Sequence, residues 1–204
     1  MMKMKRLALG DYQTNCYIVC DEASTTCVII DPGYEPERLL NTVNCLGLTV
    51  EAILLTHGHF DHVGAVERIA EATGCKLWMS EGDWSQPIDP LHTFYYPIAN
   101  CDFTEVSFFE DGETIHAGGL TFTVFATPGH TWGSVCFLCG DVLFSGDTLF
   151  ARSCGRTDLP GGDWNTVQNS LRRIAALEGA FTIYPGHGES TTLATEKQYN
   201  PYLR

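Results

Sequence analysis

Apolar positions in this chain come in short runs separated by turn-forming residues, and the period of the runs changes along the sequence. Residues 3–9, 15–20 and 26–30 read as three strands with polar turns between them, the third ending at Asp31-Pro32-Gly33. A helix follows over 36–46, closed by Gly47. The run 51–56 predicts a buried strand and 61–73 an amphipathic helix. Residues 81–101 are aromatic and proline-containing without a clear period, which predicts an irregular loop, able to flank a pocket, or short helical turns. Strands return at 104–109, 113–116, 120–126, 134–138 and 142–145, with turns at Glu110-Asp111-Gly112 and Gly140-Asp141. Asp163 is a good N-cap for a helix reaching Leu177, whose apolar stripe is Trp164, Val167, Leu171, Ile174 and Leu177. A short strand at 181–184 and a helix over 193–199 complete the pattern.

Two strand-rich halves, each followed by helices, fit an α+β arrangement of two sheets packed face to face with helices outside. No linker rich in Pro, Gly or Ser divides them, so residues 1–204 read as one domain. A formal net charge of -13 disfavours nucleic acid as a partner, though not a local basic pocket for a small anion. Lys3, Lys5 and Arg6 are not followed by an apolar segment of export length, and no run is long enough for a membrane span. The nine cysteines are scattered and often lie in strand-like runs, which predicts reduced, buried thiols and a cytoplasmic location. Cys136 and Cys139 form a Cys-x-x-Cys, but on a strand positions three apart face opposite sides, so core packing is the expectation.

The chemistry is concentrated in Thr56-His57-Gly58-His59-Phe60-Asp61-His62, on the loop between the predicted strand and helix. Three imidazoles and a carboxylate in six positions point to metal, since this mixture suits zinc, iron or manganese. Further ligand-type residues lie where other strands stop at a turn: His130 after Thr127-Pro128-Gly129, Asp147 after Ser145-Gly146, and His187 after Pro185-Gly186. Glycine beside a ligand lets the backbone approach a crowded centre. Five histidines and two aspartates are the inventory for two metals sharing one carboxylate. His92 and His116 lack such a context and read as ordinary surface or core residues.

The order His57-x-His59-x-Asp61-His62, then His130, Asp147 and His187, resembles the metallo-beta-lactamase superfamily over nearly the whole chain. Ser145-Gly146-Asp147-Thr148-Leu149-Phe150, Cys154-Gly155-Arg156-Thr157-Asp158, Tyr184-Pro185-Gly186-His187-Gly188 and Asn200-Pro201 are similar to the short bacterial glyoxalase II type, the hydroxyacylglutathione hydrolases. The resemblance implies a four-layer αβ/βα sandwich holding two divalent ions, zinc first, with iron or manganese as alternatives. It implies His57, His59 and His130 on the first metal, Asp61, His62 and His187 on the second, and Asp147 bridging. Asp61 and His62 are then the candidate catalytic residues, Asp61 also orienting a metal-bridging hydroxide. Asp31 is expected either to support a ligand histidine or simply to form its Asp-Pro-Gly turn.

Two metals roughly 3.5–4 Å apart lower the pKa of a shared water, and a thiolate leaves with little help from an acid, so a small thioester such as S-lactoylglutathione is the expected substrate. Arg156 stands where the family usually has a lysine thought to hold a glutathione carboxylate, and Asp158 where it has a tyrosine. Both are candidate substrate-binding residues, with an Arg156–Asp158 ion pair as the alternative. With the chain ending at Arg204, the helical glutathione-binding domain of full-length relatives is expected to be missing, which leaves room for another thiol carrier. The competing activities are a mononuclear iron persulfide dioxygenase, for which His57, His130 and Asp147 would suffice, and a lactonase or other carbonyl hydrolase. A non-catalytic or nucleic-acid-processing role is disfavoured by the acidic charge.

Overall fold

A computed structural model describes residues 1–84 and 106–203. The first sheet has the order β1 (Met2–Leu9), β2 (Thr14–Asp21), β3 (Thr26–Ile30), β4 (Thr49–Leu54), β5 (Lys76–Met79) and β6 (Val106–Phe108). Pairing is antiparallel from β1 to β3 and parallel from β3 to β6. Parallel neighbours need a crossover. The crossovers here are α1 (Pro36–Cys45) and the pair α2 (Phe60–Val63) and α3 (Val66–Thr73), with α4 (Glu81–Trp84) following β5.

The second sheet is built from β7 (Thr114–Ala117), β8 (Leu120–Ala126), β9 (Val135–Cys139), β10 (Val142–Gly146), β13 (Thr182–Pro185) and β14 (Thr191–Thr192). β7 to β10 run antiparallel in sequence, and β13 joins β10 in parallel. Between them lie a small hairpin, β11 (Leu149–Phe150) and β12 (Ser153–Cys154), and α5 (Trp164–Ala175); α6 (Leu193–Tyr199) closes the order.

Alternation along the strands produces three apolar layers. On β3, Cys27 and Ile29 face Leu39 and Val43 of α1 and Val66 and Ile69 of α3, while Val28 and Ile30 face the other sheet. On β9 and β10, Cys136 and Leu143 meet Leu171 and Ile174 of α5, while Val135, Phe137, Val142 and Phe144 turn to the first sheet. This is the four-layer αβ/βα sandwich, and strands buried on both faces explain why the central runs are continuously apolar. Cys136 and Cys139 lie in different layers, as their spacing on a strand requires. The eight described cysteines are free thiols. Among the described residues no helix is long and apolar enough to cross a membrane.

The structure departs from the sequence expectation in several places. The helix expected over 61–73 breaks between α2 and α3, because Gly64 is pressed against the Asp31-Pro32-Gly33 turn: a Cβ there would lie 2.5 Å from the Gly33 carbonyl oxygen. β5 had no counterpart in the reading, since four residues are too short to declare a period; the parallel pairing on both its sides forms it. Residues 81–84 form a short helix, one of the two expectations for the aromatic stretch, whose remainder, with His92, lies outside the described residues, as do positions 104 and 105 of the strand expected from 104. The Asp163 cap of α5 is present, accepting from Thr166 N at 2.7 Å, but Trp164 is 42% exposed and packs edge-on against Tyr202 instead of joining the buried stripe.

Phe144 is 1% exposed and meets the ring of Tyr17 across the two sheets at 5.3 Å. Phe144→Ala should therefore lower unfolding stability by about 3–5 kcal/mol, read from the urea midpoint at unchanged slope.

Candidate metal centre

The candidate residues gather at one edge of the sandwich because the strands that carry them run the same way. β8, β10 and β13 are mutually parallel through the ladder, and His130, Asp147 and His187 all follow their C-terminal ends. Asp31 and the motif loop follow the ends of β3 and β4 in the facing sheet. The two edges are stitched together beside His187. Asn15 N donates to Gly186 O at 2.7 Å, Asn15 Nδ2 to Pro185 O at 2.9 Å, and the Tyr17 hydroxyl to Pro185 O at 2.6 Å.

Two groups of donor atoms result, each within 4.8 Å: His57, His59 and His130, and Asp61, His62 and His187. Asp147 stands between them. Its Oδ1 is 3.4 Å from His62 Nε2, and its Oδ2 is 3.6 Å from His130 Nε2 and 3.5 Å from His187 Nε2. A third grouping, Asp31 with His57 and His62, shares ligands with the other two. Asp31 is already committed: Thr56 N and Oγ1 donate to its two oxygens at 2.8 and 2.6 Å, and His62 Nδ1 lies 3.0 Å from Oδ2. Asp31 thus supports a ligand-type histidine from behind, the first of the two readings of it.

Outward ring nitrogens are held in the same manner elsewhere. His57 Nδ1 contacts Thr56 Oγ1 at 3.0 Å, His130 Nδ1 the Arg156 carbonyl at 2.8 Å, and His187 Nδ1 the Tyr12 carbonyl at 3.1 Å. Each contact favours a proton on the outer nitrogen and leaves the inner one as a lone-pair donor. The inner atoms crowd: His130 Nε2 is 2.9 Å from His59 Nδ1, and His62 Nε2 is 3.4 Å from His187 Nε2. His57 Nε2 and Asp147 Oδ1 are buried with no hydrogen-bond partner among the described residues. Leaving such atoms unsatisfied costs on the order of 1–3 kcal/mol each, which a cation would relieve. Five imidazoles and two carboxylates fit a borderline divalent ion such as zinc or iron.

Glycines permit the crowding. A Cβ on Gly186 would lie 2.2 Å from Asp147 Oδ1 and 2.7 Å from His62 Cε1. Gly146, at φ 48°, lets the chain pass Thr56, where a Cβ would sit 2.4 Å from Oγ1.

The charge states of the two groups differ. Burial, then the neighbouring His62, holds His57 well below the ordinary histidine value, and burial followed by His130 lowers His59 to about 3. For His62 burial opposes protonation, but Asp147 and Asp31 outweigh it and raise the pKa well above normal. Burial is likewise overcome at His187, where Asp147 and Asp61 raise the value to about 9. Protons on the second group thus balance carboxylates that a metal would otherwise balance.

His59, Asp61, His130, Asp147 and His187 form the floor of a cavity of about 430 Å³ that is also lined by Tyr12, Phe60, Phe150, Leu159, Ser153, Cys154 and Arg156, with His57 and His62 buried behind it. Arg156 is paired with Asp158 through two bonds of 2.7 and 2.6 Å, both side chains more than half exposed. His116 is exposed, belongs to none of these groups, and its Nδ1 lies 3.1 Å from Thr121 Oγ1 across its hairpin.

Supporting residues without a motif also emerge. Thr14 Oγ1 donates to Asp61 Oδ2 at 3.0 Å. Buried Asp83 accepts from Gly58 N, Thr131 Oγ1 and Gly133 N. Glu196, fully buried on α6, accepts from Arg152 N at 2.8 Å and from Asn200 Nδ2 at 2.8 Å, and Asn200 Nδ2 also reaches the carbonyls of Phe150 and Ser153. The pair thereby pins the β11–β12 hairpin that carries one wall of the cavity. Of these, only Asn200 had a signal in the sequence, as part of Asn200-Pro201.

A two-sheet sandwich with a histidine- and aspartate-lined cavity at the sheet edges defines a class of metal-dependent hydrolase folds. The chain belongs to the metallo-beta-lactamase superfamily, whose profile matches residues 9–187. It is 35% identical over 209 residues to the hydroxyacylglutathione hydrolase GloC of Haemophilus influenzae, covering 99% of this chain and 98% of that one. Among solved structures, the BLEG-1 B3 metallo-beta-lactamase superposes with a TM-score of 0.86 at 34% identity, over 98% of this chain and 99% of that one. TTHA1623 in a di-iron-bound form superposes with a TM-score of 0.81 at 37% identity, over 98% of this chain and 100% of that one.

Because His62 and His187 hold protons that a cation must displace, Zn²⁺ affinity at the Asp61–His62–His187 group should rise from about pH 7 to 9. The group built on His57 and His59, already neutral, should change far less. Chelator competition on His59→Ala and His187→Ala proteins, each retaining one group, measures the two slopes; equal slopes would contradict this.

Proposed function

We propose that this chain is a dinuclear metal hydrolase of thioesters, with S-lactoylglutathione, cleaved to lactate and glutathione, as the representative substrate. The observation that carries the reading is the convergence of two complete donor groups on Asp147 at the floor of one cavity. In it His57, His59 and His130 hold one divalent ion, Asp61, His62 and His187 the other, and Asp147 reaches both. Zinc is the first candidate; iron and manganese suit the same donors, and the di-iron form of TTHA1623 gives iron a concrete precedent. The name of the Haemophilus relative supplies the substrate class.

Bound there, the ions would polarise the scissile carbonyl and bring the pKa of a shared water towards neutrality. The chain's own residues do the rest. Asp61 is held below the ordinary carboxylate range: burial works against this, and hydrogen bonding to His187 outweighs it. Anchored by Thr14, it is an ionised acceptor for the attacking water's proton, orienting the oxygen lone pair at the carbonyl carbon. Asp31 and Thr56 keep His62 and His57 aimed while that carbon becomes tetrahedral. The C–S bond then breaks, and a thiolate of ordinary thiol pKa, near 8.5, departs without a strong acid. Cys154, the cavity's cysteine among the described residues, has its pKa raised by burial, so it stays a thiol and offers no covalent route.

The cavity's apolar walls suit a small acyl group, and Arg156 is the rim cation for a carboxylate on the thiol carrier, with Asp158 its partner in the free protein. A mononuclear dioxygenase would leave the grouping of Asp61, His62 and His187 without a purpose, which is why hydrolysis is preferred.

Chelation should abolish thioester cleavage and added Zn²⁺ should restore it, while His59→Ala and Asp147→Ala should each lose more than about 100-fold in kcat. Metal analysis of purified protein beside a screen of thioesters, lactones and glutathione persulfide tests the class, and oxygen uptake with the persulfide would replace hydrolysis by oxidation. At the rim, Asp158→Ala should lower KM for S-lactoylglutathione by up to about 5-fold and Arg156→Ala raise it similarly, both sparing kcat, because exposed pairs are worth about 1 kcal/mol at most.

A further inference from the structure

The His57-x-His59 loop and the loop after His130 come from different sheets, yet together they carry the whole of the first donor group. One side chain holds both. Asp83, on α4 and 5% exposed, accepts from Gly58 N at 2.8 Å and Thr131 Oγ1 at 2.7 Å on Oδ2, and from Gly133 N at 2.7 Å on Oδ1. Gly58 lies between the two motif histidines, and Thr131 and Gly133 follow His130 by one and three residues. With three donors on its two oxygens, Asp83 belongs to none of the metal-donor groups itself.

The packing around it serves the same contact. A Cβ on Gly133 would lie 2.8 Å from Asp83 Cγ and 2.6 Å from Ser80 Oγ, so α4 can dock on the His130 loop only where position 133 is bare. The second donor group is supported from elsewhere: Thr14 on β2 bonds Asp61, and Asp31 at the end of β3 bonds His62.

We propose that Asp83 is the positioning residue of the first metal site, a carboxylate clamp that fixes the His57–His59 loop against the His130 loop and so sets that site's affinity independently of the second. The proposal rests on the reading that His57, His59 and His130 hold one ion. Removing a residue that orients ligands from behind characteristically costs 10–100-fold in metal affinity.

The test uses Zn²⁺ alone, with a chromogenic chelator as competitor. In the His187→Ala protein, which retains the first group, Asp83→Ala should weaken Zn²⁺ binding 10–100-fold, Asp83→Asn less because one acceptor oxygen remains, and Gly133→Ala comparably to Asp83→Ala. In the His59→Ala protein, which retains the second group, none of the three should change affinity more than about twofold, because the donors to Asp83 adjoin His57, His59 and His130. Equal losses in both backgrounds would make Asp83 a general stability residue and overturn the proposal, as would no loss in either. Should the His187→Ala parent take up no Zn²⁺, the ligand reading fails by itself and amide hydrogen exchange of the metal-free full chain decides the clamp. Loss of protection at Gly58 and Gly133 in Asp83→Asn, with the strands unaffected, supports it; unchanged protection at both glycines overturns it.

Discussion

His57, His62, His130 and His187 each have an outward ring nitrogen tied to a fixed acceptor, and the rest of the centre depends on that constraint. Thr56 Oγ1, Asp31 Oδ2 and the carbonyls of Arg156 and Tyr12 hold His57, His62, His130 and His187 respectively. A histidine whose outer nitrogen is free can flip or swing away from its neighbours; one that is anchored must face them. The crowding of inner nitrogens and carboxylate oxygens is thus imposed from outside. Thr56 illustrates the economy: its hydroxyl donates to Asp31 and accepts from His57, linking ligand-type residues of both donor groups through one side chain.

The sandwich exists to hold these anchors still. Parallel strands end at the same edge in each sheet, so the anchors and the imidazoles they tether arrive on short turns from rigid ladders. The apolar layer between the sheets, with Tyr17 against Phe144, fixes the distance across which the two edges meet. Tyr17 contributes twice, since its hydroxyl bonds the Pro185 carbonyl two residues before His187.

What could be read from the sequence was whatever is written locally. The dense run His57-x-His59-x-Asp61-His62, and strands that stop at a Pro-Gly or Ser-Gly turn before His130, Asp147 and His187, are local sentences, and the structure brings these side chains together. The N-cap of α5 and the alternation that separates Cys136 from Cys139 were legible for the same reason. What stayed hidden depends on partners distant in the chain. Lys76–Met79 is a strand because of its neighbours, Gly64 breaks a helix because of a turn thirty-one positions earlier, and Asp83 and Glu196 are ordinary acidic residues until the fold places amides around them. The Arg156–Asp158 pair was one of two readings that spacing alone could not separate.

The pinning of the β11–β12 hairpin by Glu196 and Asn200 divides the cavity into parts of different origin. Its floor is made by the turns at the strand ends along one edge of the sandwich, whereas the wall bearing Phe150, Ser153 and Cys154 is referenced to α6. Divergence within α6 can therefore reshape what the cavity admits while leaving the donor atoms in place. Drift in a helix that supplies none of the cavity's donors can thus alter selectivity without altering the centre.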